Sequence, residues 1–275
     1  ADWCLLQRAS EVTMLFDFVD GEKFKAICDF ELGQDIPDKS EVIMYAPSDR
    51  YLEALVFIEK NSDVKFKLVT HNGDTEILLR KSFLPRNLVC WYAQNLCTAS
   101  NRTFPIPIGM ENSHWHPGKR DTIIKAEKSQ QRVLRAFTQF NPSTHKSRLD
   151  LANLIMDKKI DVDFAPSVNG TGFEQYVYNL SRYAFCVCPR GNGTDTHRIW
   201  EALYMGCIPI VQTHLTHKCL DGLPVLFVEN WQEITHQKLV HFIEQMPSII
   251  YDAKKLHFKY WENLIKDEEN RCGCR

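Results

Sequence analysis

The stretch RGNGTDTHRIWEAL, residues 190–203, combines residue types that suit phosphate binding. Arg190 and Arg198 flank a glycine turn that runs into an amphipathic helical pattern. The amino end of a helix offers free N–H groups and partial positive charge, and an arginine fork matches phosphate oxygens. Glu201 lies three residues after Arg198 on the same helical face, where its carboxylate can accept hydrogen bonds from two ribose hydroxyls. A diphosphate site beside a ribose site predicts a nucleotide.

The glycines and their neighbours predict how the loop joins the helix. We expect Gly191 and Gly193 to adopt positive φ and to let a ligand approach the backbone closely. Thr194 or Asp195 is expected to cap the helix, and Gly206 to end it.

An alternative interpretation of this stretch is purely structural. The glycines then make an ordinary turn, and Arg198 and Glu201 form a solvated helix pair, because short glycine motifs occur by chance. The complete order of strand, loop, capped helix and strand favours phosphate binding over this alternative.

Alternating strand and helix patterns must position the loop. They predict an α/β fold with two Rossmann-like domains, 1–128 and 129–275, joined by the polar crossover 112–131. Ligands of such folds lie in the cleft at the carboxyl ends of the strands. The predicted strands are 41–46, 64–70, 88–93, 104–108, 132–137, 183–188, 207–211 and 225–228, and the predicted helices are 50–60, 145–156, 176–180, 196–205, 232–245 and 254–267.

The composition excludes several function classes. The 275 residues carry 33 basic and 35 acidic side chains, so the net charge of -2 provides no general attraction to nucleic acid or anionic membranes. No apolar run approaches the roughly 20 residues that span a bilayer. The ten cysteines form no paired C-x-x-C elements, which disfavours structural zinc, while disulfides stay open.

The four N-x-S/T sequons bear on the compartment. Asn192 lies inside the loop, where a glycan would block binding, and this favours the cytosol. The alternative is the Golgi lumen, and we expect any signal or anchor to have been removed or never present. The other sequons begin at Asn101, Asn169 and Asn179.

Residues 185–211, FCVCPRGNGTDTHRIWEALYMGCIPIV, closely resemble the donor-binding segment of exostosin-like glycosyltransferases and their compact algal and viral relatives. The similarity extends over about 41–228 in the same order of motifs. The further similar stretches are LVTHNGD at 68–74, VCWYAQN at 89–95, FPIPIGMENSHW at 104–115 and FTQFNPSTHKSR at 137–148.

This resemblance implies a B-type glycosyltransferase fold, with the acceptor in the first half and the donor in the second. It implies transfer of a hexosyl or pentosyl group from a UDP-linked sugar, with UDP-xylose as the best guess, to a hydroxyl of a glycan. Exostosin proteins are longer, so polymerising activity is not expected. Contacts near 168–170 and Val187 would choose between uracil and guanine. The donor residues that the resemblance and the loop chemistry indicate are Asn141, Thr144, Arg148, Arg190, Asn192, Gly193, Thr196, His197, Arg198 and Glu201.

The residues available to neutralise the diphosphate charge predict whether the transfer needs a metal ion. No D-x-D pair stands after a strand to hold a metal, since 161–163 is only the nearest match, so arginines and the helix amino end must carry the charge. We therefore expect metal-independent transfer, with no cofactor beyond the nucleotide-sugar co-substrate. The resemblance implies inversion by direct displacement.

The general base is expected in the first half. Asp74 is preferred over His71 on the same loop, although 71–74 can also be an ordinary turn. His114, Trp115 and His116 offer an aromatic platform for the acceptor sugar, and the alternative is a packed loop with Trp115 in the interdomain core. A rival function is a non-catalytic module that binds a nucleotide sugar or glycan on the same fold. A phosphotransferase is less consistent, because no G-x-x-x-x-G-K-[ST] loop is present.

Overall fold

The computed structural model describes residues 17–79, 84–129, 131–166, 172–246 and 251–267. The predicted base contacts near 168–170 and the sequon at Asn169 lie outside these ranges, as do Cys272 and Cys274. The described chain is α/β, with two five-stranded sheets in which every pair of neighbouring strands is parallel. The strands are β1 (Phe30–Glu31), β2 (Glu41–Pro47), β3 (Lys65–His71), β4 (Leu88–Ala93), β5 (Thr103–Pro105), β6 (Val133–Phe140), β7 (Val162–Pro166), β8 (Tyr183–Val187), β9 (Ile208–Gln212) and β10 (Leu226–Val228).

The two sheets differ in strand order. The first runs β1-β2-β3-β4-β5, in the order of the chain. The second runs β10-β9-β8-β6-β7, so the chain leaves β6 to one side for β7 and to the other side for β8. This reversal is a topological switch point, where the loops after β6 and β8 separate and leave a crevice for a ligand.

Helices cross between the strands, as the alternating pattern predicts. They are α1 (Gly21–Ala26), α2 (Tyr51–Lys60), α3 (Lys119–Lys125), α4 (Lys146–Met156), α5 (Phe173–Arg182), α6 (His197–Tyr204), α7 (His236–Gln245) and α8 (Phe258–Lys266). The sequence analysis missed α1, β1, β7 and α3, and α3 lies inside the predicted crossover. The predicted helix 254–267 is divided into a short 3-10 turn, Ala253–Leu256, and α8. The predicted strand 88–93 is confirmed residue for residue.

Helices α5 and α6 supply most of the floor between the loops. Helix α5 buries Tyr176, Val177 and Leu180 at helical spacing. Helix α6 buries Glu201 with its apolar residues and ends where Gly206 takes a φ of 68°, as predicted. Glu201 is the one acidic residue on the otherwise apolar buried face of α6, and such a position indicates a polar site.

One apolar cluster joins the two sheets. It takes Tyr45, Val69 and Tyr92 from the first sheet and Phe137 and Cys186 from the second. Separate clusters cover the outer face of each sheet.

The chain also crosses back at its carboxyl end, where α8 contacts the first sheet. The buried Lys67 Nζ donates to the carbonyl of Ile265 at 3.1 Å, and Tyr92 Oη donates to that of Leu264 at 3.2 Å. The predicted boundary between 1–128 and 129–275 stays a prediction.

None of the helices in the described part of the chain combines the length and apolarity needed to cross a membrane. The seven cysteines that the structure describes are all free thiols, and they are Cys28, Cys90, Cys97, Cys186, Cys188, Cys207 and Cys219.

Candidate functional site

A cavity of about 400 Å³ lies at the carboxyl ends of β6 and β8, at the switch point of the second sheet. Its wall comes from both halves of the chain. Eight of the ten predicted donor residues line it, namely Thr144, Arg148, Asn192, Gly193, Thr196, His197, Arg198 and Glu201. The other lining residues are Asp74, Ile108, Glu111, Lys119, Gln139, Phe173, Tyr176, Gly191 and Asp195.

Two arginines in this wall form no ion pair. Within the described residues, no carboxylate lies within 4.0 Å of Arg148 or Arg198. Arg148 is 7% exposed, and its Nε donates to the carbonyl of Arg190 at 2.7 Å. Burial, with a smaller contribution from the charge of Arg198, lowers the pKa of Arg148 to about 10. A bound anion would relieve both effects.

Buried polar atoms without partners surround the same space. Tyr176 Oη, Thr196 Oγ1 and Arg198 Nε are buried and have no hydrogen-bond partner among the described residues. The Arg198 guanidinium also lies 5.9 Å from the centre of the Tyr176 ring, and burial raises the pKa of that phenol well above its usual range. Buried polar groups are normally paired, so three unpaired atoms lining one cavity mark it as a candidate site for a polar ligand.

The amino end of α6 points into the cavity with unused donors. The N–H groups of His197 and Arg198 donate to no described acceptor, and the N-cap residue is Thr196. The side chain of Thr196 caps no N–H group of the helix. The expectation that Thr194 or Asp195 caps the helix was wrong, because both residues face the first half instead: Asp195 N donates to Asn95 Oδ1 at 2.9 Å.

Glu201 supplies the negative end of the cavity. It is 4% exposed, lines the cavity, and its carboxylate makes no hydrogen bond to another described residue. The alternative of a solvated pair with Arg198 does not fit this burial, and the two side chains form no ion pair within 4.0 Å. A buried carboxylate with unused lone pairs suits hydroxyl donors such as those of a ribose.

The glycines of the loop are needed for space, and the expectation of positive φ was wrong. Neither Gly191 nor Gly193 has positive φ. A Cβ atom on Gly193 would lie 2.6 Å from Asn95 Nδ2, and one on Gly191 would lie 3.0 Å from Arg148 Nη2. The atoms that closely approach these glycines therefore belong to the protein and not to a ligand: Asn95 contacts Gly193, and Arg148 contacts Gly191.

Arg190 points away from the cavity. Its Nη1 lies 2.6 Å from Glu76 Oε1, and its Nη2 donates to the carbonyl of Asn192 at 2.8 Å. Thr194 Oγ1 donates to the same Glu76 oxygen at 3.0 Å. Burial alone would raise the pKa of Glu76, but these donors lower it. Arg190 therefore joins the halves and lines a separate cavity of about 200 Å³ behind the loop.

The remaining predicted donor residue, Asn141, is exposed and does not line the cavity. Its Oδ1 accepts from Ser143 N at 3.0 Å and so caps the turn Pro142–Thr144. That turn carries Thr144 to the cavity wall, so Asn141 shapes the site from outside.

A second cavity of about 230 Å³ adjoins the first on the side of the first sheet. Four residues line both cavities: Asp74, Ile108, Glu111 and His197. We call these four residues the junction. The other residues of the smaller cavity are Asn72, Gly73, Gln94, Asn112 and Trp115.

Of the three predicted acceptor residues, only Trp115 lines one of the two cavities. Trp115 is 68% exposed and lines the smaller cavity, which disagrees with the alternative of a core position. His114 lies 2.6 Å from Glu22 and His116 lies 2.8 Å from Glu111, and neither imidazole lines a cavity.

His71 is enclosed in the first half. Its Nε2 lies 2.9 Å from the carbonyl of Pro107, and its ring stacks on Phe24 at 5.0 Å. Burial lowers the pKa of His71 to about 4. It lines neither cavity, so the structure separates His71 from Asp74, which lines both.

Several cavity residues escaped the sequence analysis. Glu111, Lys119, Tyr176 and Asp195 were not assigned, although Glu111 and Asp195 fall within the quoted motifs. Lys119 forms an ion pair with Glu111 and lies 5.0 Å from the centre of the Phe173 ring. The local sequence contains no signal for Asp195, because its neighbours Thr194 and Thr196 are also polar.

No group of three His, Cys, Asp or Glu side chains in the described ranges lies close enough together to hold a metal ion.

A known protein family and a known plant protein are similar to parts of this chain, and both are related to glycosyl transfer. Residues 146–261 match the family model described as the RXYLT1 C-terminal domain, which includes α4 to α6 and the loop before α6. A 92-residue stretch is 26% identical to a probable glycosyltransferase of Arabidopsis thaliana, covering 33% of this chain and 18% of the relative. These matches support a glycosyltransferase family. The chain thus aligns with less than a fifth of that relative's length.

Proposed function

We propose that the chain is an exostosin-like glycosyltransferase that transfers a sugar from a nucleoside diphosphate to an acceptor hydroxyl. The observation that carries the proposal is the cavity at the switch point. It combines two arginines that form no ion pair, a helix amino end with unused N–H groups and a buried carboxylate.

The donor occupies the larger cavity in this proposal. The diphosphate lies against Arg148, Arg198 and the amino end of α6, and Glu201 accepts the ribose hydroxyls. These cations and N–H groups are held in place before the reaction, so they stabilise charge on the leaving diphosphate without reorganisation. The transfer therefore proceeds without a metal ion. UDP-xylose is the proposed donor.

The acceptor occupies the smaller cavity, with one sugar face on Trp115. Its hydroxyl approaches the anomeric carbon through the junction, opposite the leaving diphosphate, and direct displacement inverts the anomeric configuration. The base that takes the proton is one of the three ionisable junction residues, Asp74, Glu111 and His197. Asp74 is the sequence-based choice.

The arrangement proposed for the whole chain is the B-type fold, with the two sheets as two domains that meet at this cleft. The proposed compartment is the cytosol, and a chain glycosylated at Asn192 would contradict it, because N-x-S/T acceptors are glycosylated in secreted chains. A glycan on Asn192 would also contradict the donor assignment, because Asn192 lines the cavity.

A thermal-shift screen of nucleotides and nucleotide sugars tests the donor assignment, because a ligand that binds only the folded chain raises its Tm by mass action. We expect UDP and UDP-xylose to raise the Tm and adenosine diphosphate to do so less. Hydrolysis of the best donor is then followed with and without EDTA. Binding without any turnover would identify a non-catalytic module, and loss of turnover in EDTA would contradict the metal-independent mechanism.

A further inference from the structure

We propose that His197 is the general base of the transfer, an inference that rests on the proposed function and goes beyond the donor contact expected for this residue. In the step, the acceptor oxygen bonds to the anomeric carbon while the bond from that carbon to the phosphate oxygen breaks. The electron pair leaves with the nucleoside diphosphate. The hydroxyl proton moves to Nε2 of the neutral imidazole and later to solvent.

The contact of His197 with the first half determines which nitrogen is free. Its Nδ1 lies 2.8 Å from the carbonyl oxygen of Gly109. A carbonyl only accepts hydrogen bonds, so Nδ1 carries the proton and the neutral ring has its lone pair on Nε2. His197 makes no other side-chain hydrogen bond to a described residue, which leaves Nε2 unused.

The orienting carbonyl is itself held firmly. Gly109 has a φ of 68°, and a Cβ atom there would lie 2.2 Å from the carbonyl oxygen of Val19. Only glycine fits this position, so the carbonyl direction is determined by backbone packing. A base oriented by a third group is the arrangement that proton transfer requires.

Position favours His197 as well. It lies at the junction, and it begins α6 beside the unused N–H groups of the donor cavity. The residue therefore borders both the space proposed for the leaving diphosphate and the space proposed for the acceptor hydroxyl.

The two junction carboxylates are less suited. Glu111 is engaged with Lys119 and with His116, and although burial would raise its pKa, these partners lower it. Asp74 is exposed, and no described residue donates a hydrogen bond to its carboxylate, so nothing orients it. A general base must be held within hydrogen-bonding reach of the proton that it removes, and no contact in the described chain holds the Asp74 carboxylate in place.

The charged groups around the imidazole matter for its pH response. Asp74 and Glu111 face it from the first half, and Lys119 lies behind Glu111. His71 lies behind it and Arg198 follows it on α6. The junction acids favour the imidazolium that forms during transfer, while Arg198 favours departure of the diphosphate.

The test uses the full chain and four variants, His197→Asn, His197→Ala, Asp74→Asn and His241→Gln, with UDP binding measured first. His197→Asn keeps an amide nitrogen where Nδ1 donates to Gly109 and removes Nε2. Asp74→Asn removes the rival base, and His241→Gln on the exposed face of α7 is the matched control. Hydrolysis of UDP-xylose, or of the sugar nucleotide with the largest thermal shift, is followed with water as acceptor across pH 4–9.

We expect His197→Asn to lower kcat about 100-fold or more, the usual contribution of a general base, with KM and the UDP thermal shift nearly unchanged. The acid limb of the wild-type pH profile should disappear, because the variant no longer contains the base whose protonation stops turnover at low pH. Added imidazole should restore turnover to His197→Ala, because it can take the place of the missing side chain, and should not raise turnover in His241→Gln.

The opposite pattern would overturn the proposal: kcat lost in Asp74→Asn and retained in His197→Asn. Loss of both kcat and UDP binding in His197→Asn would also overturn it, since the imidazole would then be a donor ligand only. A wild-type chain that binds UDP and hydrolyses no donor would instead overturn the proposed function, and this inference with it.

Discussion

Replacing Arg148 by methionine should separate the binding role of its charge from any structural role. The substitution keeps an apolar stem beside Phe140, whose ring centre lies 5.8 Å from the guanidinium, and removes the charge. We expect the chain without ligand to become more stable and its affinity for UDP to fall. A residue that served only the fold would show neither effect.

The magnitude follows from the burial of Arg148. A pKa of about 10, against the ordinary 12.5, corresponds to roughly 3 kcal/mol of unfavourable free energy for the charged form. At pH 7 the guanidinium is charged in both the folded and the unfolded chain, so this cost is present in full and fades only above pH 10. The lost hydrogen bond to Arg190 offsets about 1 kcal/mol. The expected gain in the free energy of unfolding is about 2 kcal/mol.

The effect on binding has the opposite sign. A charge-assisted hydrogen bond to phosphate contributes about 1.5–3 kcal/mol, so the Kd for UDP should rise roughly 10- to 100-fold. Urea denaturation with and without saturating UDP measures both quantities on one sample.

Arg182→Met is the matched control for this experiment. Arg182 lies 5.4 Å from the Tyr178 ring on the outer face of α5, away from the cavity. We expect it to leave the UDP affinity unchanged. An Arg148→Met chain that is less stable and still binds UDP with wild-type affinity would refute the reasoning.

Three further changes test other parts of the site. Glu201→Gln should weaken UDP binding about 10-fold and abolish the preference for UDP over its 2′-deoxy analogue, measured by calorimetry; a preserved preference would contradict the ribose assignment. Gly193→Ala should lower the free energy of unfolding by about 1–3 kcal/mol through its clash with Asn95, whereas Gly172→Ala, with nothing within 4 Å of its Cβ position, should not. Burial raises the pKa of Asp195 to about 7 from 3.8, so the folded chain holds this proton longer and loses stability as pH rises from about 4 to 7. Asp195→Asn should remove that decline, by at most about 4 kcal/mol, in urea denaturation at pH 5 and pH 8.

The amino-acid pattern by itself determined the class of fold and the location of the proposed phosphate site. Strand and helix periods depend on local spacing, which is why the parallel sheets, α6 and its end at Gly206 could all be predicted. The placement of Arg198, Thr196 and Glu201 followed from the same helix. Short polar-rich elements such as α1 and α3 were missed, because their stability comes from packing rather than from a strong local period.

Tertiary structure alone decided which way the loop side chains face. Arg190 and Arg198 look equivalent in the sequence, yet Arg190 turns to Glu76, 114 positions earlier in the chain. Asp195 and His197 are likewise held by Asn95 and Gly109, 100 and 88 positions away. A local pattern contains no information about partners at such distances. Which residues line the junction, and which nitrogen of His197 is free, therefore depended on the packing of one half of the chain against the other.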